Sequence, residues 1–297
     1  MPKSNIKDYL HLHFIVFIWG FTAVLGKLIT IDAIPLVWFR LSIASIVLFF
    51  FMLFKKVALK INLKAFILFL IGGFLIGLHW LAFFYAIKIS TVSVTLATLA
   101  TGAFFTSLLE PLFFRTKFKL YEIVLSLLTV IGIIIIFNVE PKYGLGIIVA
   151  LIAAFLSALF AVVNAGFVKN YDARVISFYE LIFAVLLISI IILFNNGFSF
   201  SFFNLSLNNL VYIMILGSVC TAYALTASTK LLNKISPFTM MLTVNLEPVY
   251  GIILALLVFG NEEKMNPSFY YGASLIFVGV ILNGIIKTKH QNKNKLN

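Results

Sequence analysis

A single cysteine, Cys220, is the whole thiol content of this chain of 297 residues. One thiol closes no intrachain disulfide and builds no cysteine metal cluster. Acid is scarce too, with ten Asp and Glu against 22 Lys and Arg. The four histidines have no metal-ligand spacing, and the chain has no H-E-x-x-H, G-x-S-x-G or Walker loop, so the common signatures of an enzyme are missing. Charged residues make up 11% of the chain, where a soluble domain carries about 25%. No polar stretch between the apolar runs is long enough for a nucleotide-binding or catalytic domain, which argues against an ATP-driven pump in one chain.

What is present is apolar surface. At 62% hydrophobic residues, with 33 phenylalanines, the chain reads as an all-α integral membrane protein. Continuous apolarity bounded by charge or turn residues predicts ten transmembrane helices, over 10–31, 34–54, 65–86, 91–114, 120–138, 144–168, 176–195, 209–230, 237–259 and 269–287. Pro35 suits the start of the second helix. The apolar run from Phe14 is followed by no A-x-A cleavage site and is expected to be a retained first helix rather than a signal peptide.

The net charge of +12 invites a nucleic-acid partner, but the basic residues sit in short loops between apolar runs, so none is expected. Seventeen of the 22 fall on one side of the bilayer, namely Lys3, Lys7, Lys55, Lys56, Lys60, Lys64, Arg115, Lys117, Lys119, Lys169, Arg174, Lys230, Lys234, Lys287, Lys289, Lys293 and Lys295. Only Lys27, Lys88, Lys142 and Lys264 fall on the other, and Arg40 lies inside a span. By the positive-inside rule both termini face the cytoplasm, with an even helix count.

The two halves echo each other. Placing residue 90 on 236 aligns Lys88-Ile89-Ser90 with Lys234-Ile235-Ser236, and an offset of 140 aligns Trp38-Phe39-Arg40-Leu41 with Phe178-Tyr179-Glu180-Leu181. Five helices per half, an odd number, invert the second copy across the membrane, as in many secondary transporters. The expected units are 1–140 and 141–297.

These halves resemble the EamA-type permeases of the drug/metabolite transporter superfamily. The carrying residues are Trp19-Gly20-Phe21, Gly26-Lys27, Pro35 through Arg40, and Phe84 through Ser90. In the second half they are Lys169-Asn170-Tyr171-Asp172, Asn245-Leu246-Glu247-Pro248 and Phe259-Gly260-Asn261-Glu262. The first repeat lacks the proline that the family commonly carries near Gly102 and Ala103. The resemblance implies two inverted five-helix repeats around a central cavity, and alternating-access export of a small organic metabolite such as an amino acid across a bacterial-type cytoplasmic membrane. The partners are then a small-molecule metabolite and membrane lipid, with the chain a monomer or homodimer, no cofactor, no metal and no catalytic residue. A lipid-linked carrier flippase of similar fold is the alternative; an intramembrane enzyme or sensor is a more distant one.

An ionised group at the centre of a span costs about 2.5–3.5 kcal/mol, so each one needs a reason. Glu247 falls near the middle of the ninth span and precedes Pro248, which frees the carbonyl of Val244. Thr243, Glu247 and Tyr250 share its face. His79 either hydrogen-bonds cargo, titrates near neutral pH, or satisfies a neighbouring helix. Thr98 lies on a stripe with Thr91, Thr95, Gly102 and Thr106 that either lines water or packs helices. Arg40 and its repeat mate Glu180 lie close enough to opposite span ends to snorkel, while the family resemblance keeps Arg40 as an anchor for a substrate carboxylate. Glu110, near Arg115, is read as interfacial. The candidate binding or gating set is therefore Glu247, His79, Tyr250, Thr98, Thr243 and Arg40, with Trp19, Phe83 and Tyr85 as aromatic walls.

Overall fold

The computed structural model describes residues 4–118, 120–195 and 197–293, so Lys3, Lys119 and Lys295 of the charge count lie outside the described residues. Among the described residues there is no strand, and eight helical stretches are long and apolar enough to cross a membrane. A bilayer core offers the backbone no partners, and a helix satisfies its amides within itself. The chain is a multi-pass membrane protein.

In order, the helices are α1 (Ile6–Leu28), α2 (Ala33–Phe54), α3 (Leu63–Ile89), α4 (Val92–Leu99), α5 (Gly102–Phe114), α6 (Leu120–Val139), α7 (Gly144–Phe167) and α8 (Ala173–Asn195). They continue with α9 (Leu207–Gly217), α10 (Ala224–Leu231), α11 (Pro237–Val244), α12 (Glu247–Phe259) and α13 (Pro267–Lys293). Two stretches expected to be continuous are broken. Residues 91–114 divide into α4 and α5 around Ala100 and Thr101, and residues 237–259 divide into α11 and α12 around Asn245 and Leu246.

The two breaks correspond in every boundary. The half-helices are 8 and 13 residues long in both cases, each boundary of the second pair lies 145 residues after its counterpart, and Arg115 and Gly260 end them with φ of 52° and 56°. This corrects by one residue the register taken from Ser90 and Ser236. It also changes the place of Glu247, which is the first residue of α12 rather than a mid-helix residue. Pro248 is then the second residue of a new helix, where a missing N–H costs little. The first repeat breaks without any proline at the joint.

Helix starts inside apolar surroundings need acceptors for their first amides. At α4 the Thr91 hydroxyl accepts from Val94 N, and the fully buried Glu263 carboxylate accepts from Val92 N at 3.0 Å, Ser93 N at 2.9 Å and Ser93 Oγ at 2.8 Å. At α11 Ser236 accepts from Thr239 N, Pro237 has no N–H, and Glu110 accepts from Phe238 N at 2.8 Å. Each repeat thus finishes a helix of the other. Glu110, expected to be interfacial, serves as a cap.

The interior is built by close helix approach. α3 lies against α7 and α8, α2 against α8, and α1 against α12. At the α1/α12 crossing Gly20 lets the backbones meet, because a Cβ there would stand 2.7 Å from Cβ of Tyr250.

Candidate functional site

A central cavity of about 90 Å³, measured as room for the centres of water molecules, is bordered by residues of α1, α2, α3, α4, α7, α10, α11 and α12. A single water needs about 10–15 Å³ on this measure, so several fit. Most of its wall is apolar, including Ile76, Phe83, Phe160, Leu225, Met240 and Met241, with a few polar groups among them. That mixture suits a small organic ligand held by few oriented contacts. On α10 and α11 the lining runs from Leu225 and Val244 down to Leu232 and Met240, beside the α10–α11 joint. At the opposite end Lys27 closes on Glu263 at 3.0 Å and Glu262 at 3.2 Å, and Lys88 donates to the carbonyl of Ile29.

Arg40 dominates the site. It is 1% exposed, so it does not snorkel. Its guanidinium lies 4.3 Å over the Trp80 ring, and Nε donates to Thr221 Oγ1 at 2.5 Å. Thr221 sits in a π-helical turn, Ser218–Tyr223, between α9 and α10, where the widened ladder lets its hydroxyl donate to the carbonyl of Leu216 five residues back. Nη1 of Arg40 is buried without a hydrogen-bond partner. A buried guanidinium with an unfilled donor is costly unless something is meant to meet it.

Glu247 lines the same cavity from the first turn of α12, as do His79, Phe83 and Trp19. Nδ1 of His79 stands 2.8 Å from the carbonyl of Ala153. A carbonyl only accepts, so Nδ1 carries a hydrogen and Nε2 is left as the ring's other polar atom. Phe83 stacks on this ring with centroids 6.1 Å apart, and Trp19 Nε1 donates to the carbonyl of Cys220 at 3.2 Å.

The remaining candidates lie elsewhere. Thr98 is fully buried beside the α4/α5 break with no partner for its hydroxyl and is not part of the cavity wall. Thr91, Thr95 and Thr106 of the expected stripe are buried as well and do not line the cavity. Thr243 donates to the carbonyl of Thr239, and Tyr250 packs its ring 5.4 Å from Phe17; neither borders the cavity, which α11 lines with Met240, Met241 and Val244. Tyr85 is 45% exposed on the outer surface and forms no wall. Glu180, expected to snorkel, is fully buried and accepts from Asn164 Nδ2 at 2.9 Å. Sequence reasoning missed Trp80, Thr22 and Thr229 as lining residues and Glu263 as a cap; only Trp80, next to His79, carried a signal.

A model of the EamA-like transporter family matches residues 9–138 and 144–285, nearly the whole chain in two copies. The chain belongs to the EamA-like transporter family. Among curated proteins this EamA-like transporter is similar to an uncharacterized transporter of Clostridium kluyveri, 25% identical over 207 residues. That match takes in 67% of this chain, which spans only 65% of the relative's own length. A solved crystal structure shares the fold, with a TM-score of 0.72 at 13% identity over 95% of this chain and 99% of the other.

Proposed function

We propose that the chain exports a small zwitterionic metabolite, an amino acid or a close relative, across a bacterial-type cytoplasmic membrane by alternating access. In this reading ten spans form two inverted repeats with both termini cytoplasmic. α6 and α13 supply the fifth and tenth crossings and pack at Gly132 and Gly272, where an added Cβ would stand 2.6 and 2.8 Å from the opposing glycine carbonyl. The basic loops orient the bundle, so the cavity, running toward the α10–α11 joint, opens to the cytoplasm.

One observation carries the cargo assignment: Arg40, whose Nη1 is buried without a hydrogen-bond partner, lines the same cavity as Glu247. A guanidinium stacked on an aromatic ring and lacking a partner is suited to a carboxylate, and a carboxyl group across a small cavity is suited to an ammonium. His79 and Thr229 add polar contacts, while Met240, Met241 and Phe160 leave an apolar surface for a side chain.

The test is counterflow of a mixture of the standard amino acids in liposomes bearing the purified protein. Arg40→Lys keeps the charge but loses the planar fork, and is expected to weaken apparent affinity at least tenfold, about 1.4 kcal/mol. Glu247→Gln is expected to reduce flux comparably. Wild-type liposomes that move no amino acid, or variants as active as wild type, overturn the assignment.

A further inference from the structure

Two cavity-lining stripes point to the same place when followed one turn further from the cavity. On α3 the stripe is Phe83, His79 and Ile76, and the next position on that face is Gly72. On α7 it is Ser157, Phe160 and Ala161, and the next is Asn164. Glu180 of α8 fills that place. Its carboxyl occupies the space a Cβ on Gly72 would take, and Oε1 accepts from Asn164 Nδ2 at 2.9 Å.

The pair is incomplete in a specific way. Glu180 and Asn164 are both 0% exposed, and each has one oxygen, Oε2 and Oδ1, without any hydrogen-bond partner. Asn164 has already used its donors, giving them to Glu180 and to the carbonyl of Phe160. Each orphaned oxygen lacks a donor, and a carboxyl O–H on Glu180 is the donor the pair can supply from within itself, in the manner of a paired acid and amide.

No cation offers a substitute. Among the elements packed on α8, α2 contributes Arg40, bound to Thr221 and Trp80, and α3 contributes His79, bound to Ala153, along with the exposed Lys64. α10 contributes the exposed Lys230, and α8 itself contributes Arg174, which pairs with Asp172, and Tyr179, whose hydroxyl donates to Leu59. Lys169 follows α7 and lies over the Phe114 ring. Among the described residues none of them forms an ion pair with Glu180. A buried carboxylate with one neutral partner and no counter-ion is unfavourable, whereas the neutral acid fits the site as built.

We propose that the Glu180–Asn164 pair is a proton-binding site of the transport cycle, separate from the cargo contacts and seated just beyond the cavity. This rests on the transporter reading above. In the conformation described, the Glu180 O–H bond is intact. When α3, α7 and α8 rearrange, water reaches Oε2, takes the proton as hydronium and leaves the carboxylate, which one proton from the opposite side restores in the return step.

Infrared spectroscopy of the purified protein tests the loaded state without knowledge of the cargo. At neutral pH the wild type is expected to show a protonated-carboxyl C=O stretch that Glu180→Gln lacks, and the band should bleach as pH is raised. Coincident spectra overturn the proposal, and if Glu180→Gln misfolds, loss of the whole band in Glu247→Gln overturns it instead. Glutamine keeps the amide pairing with Asn164, so the variant is expected to exchange amino acids across liposomes at the wild-type rate while its flux ratio with and without an imposed pH gradient falls to one. A gradient response equal to wild type overturns the coupling role. If no amino acid moves in wild-type liposomes, the cargo assignment fails while the infrared band still decides whether the site is loaded.

Discussion

Removing the Glu263 carboxylate by Glu263→Ala should cost the protein about 3–5 kcal/mol of stability. The side chain is fully buried and accepts from Val92 N, Ser93 N and Ser93 Oγ, besides holding Lys27 at 3.0 Å. The two amides are the first donors of α4 and have no other acceptor within the helix, so each is left bare at about 1–3 kcal/mol. The Ser93 hydroxyl can rotate to its own backbone and adds little. Lys27 is spared because Glu262 remains 3.2 Å away, so its charge keeps a partner. A further fraction, about 0.3–1 kcal/mol, is the lost favourable charge at the positive end of α4.

At about 2 °C per kcal/mol for a large chain, the unfolding midpoint in detergent should fall by roughly 6–10 °C. Glu263→Gln keeps one accepting oxygen and should lie between this and wild type. Glu262→Ala removes a residue that is 73% exposed and should move the midpoint by no more than about 2 °C. The measurement is tryptophan fluorescence or circular dichroism during a thermal ramp. A Glu263→Ala midpoint within about 1 °C of wild type refutes the capping account, as does an equal effect from Glu262→Ala.

Gly20→Ala places a Cβ 2.7 Å from Cβ of Tyr250, and should destabilise by about 1–3 kcal/mol through overpacking of α1 on α12; an unchanged midpoint contradicts that packing. Tyr85→Phe, on the outer surface, should leave liposome flux at the wild-type value, and a severalfold loss would return Tyr85 to the site. At the start of α8 the Arg174 guanidinium, with a 2.7 Å contact, holds the carboxyl of Asp172, just before that helix, below its ordinary value of 3.8. A depressed acid stabilises the fold above its unfolded pKa, and that contribution is lost as pH falls through the lower folded value. Since both side chains are largely exposed, Arg174→Ala should cost no more than about 1 kcal/mol near neutral pH, with the difference in midpoint closing in strong acid. A gap that widens on acidification sinks this sign.

Much of the bundle was legible in the sequence because a bilayer imposes length and apolarity on every crossing. The offset of 140 between Trp38-Phe39-Arg40 and Phe178-Tyr179-Glu180 likewise appears in α2 and α8, which begin at Ala33 and Ala173. The break between α4 and α5 was not legible, since the joint at Ala100 and Thr101 contains neither proline nor glycine. Reading residues 237–259 as one helix likewise put Glu247 at mid-helix rather than at the start of α12. Trp19, His79, Phe83, Arg40 and Glu247 do border one cavity, whereas Thr98, Thr243, Tyr250 and Tyr85 are turned elsewhere, a matter of helix rotation that residue spacing alone does not determine. Glu263 was not singled out, because its burial depends on α4, which is remote in the chain.

The exchange of caps between the repeats sets an order on synthesis. Ser93 must wait for Glu263, 170 residues later, which at roughly 5–20 residues per second is on the order of 10–30 s of translation. During that interval the α4 amides have no permanent acceptor, and the nascent first half needs shelter from the insertion machinery or from interfacial water. The second half meets the opposite situation, because Glu110 is already in place when Phe238 arrives. Severing the gene between the repeats would therefore produce an N-terminal fragment that turns over quickly unless its partner is made alongside it.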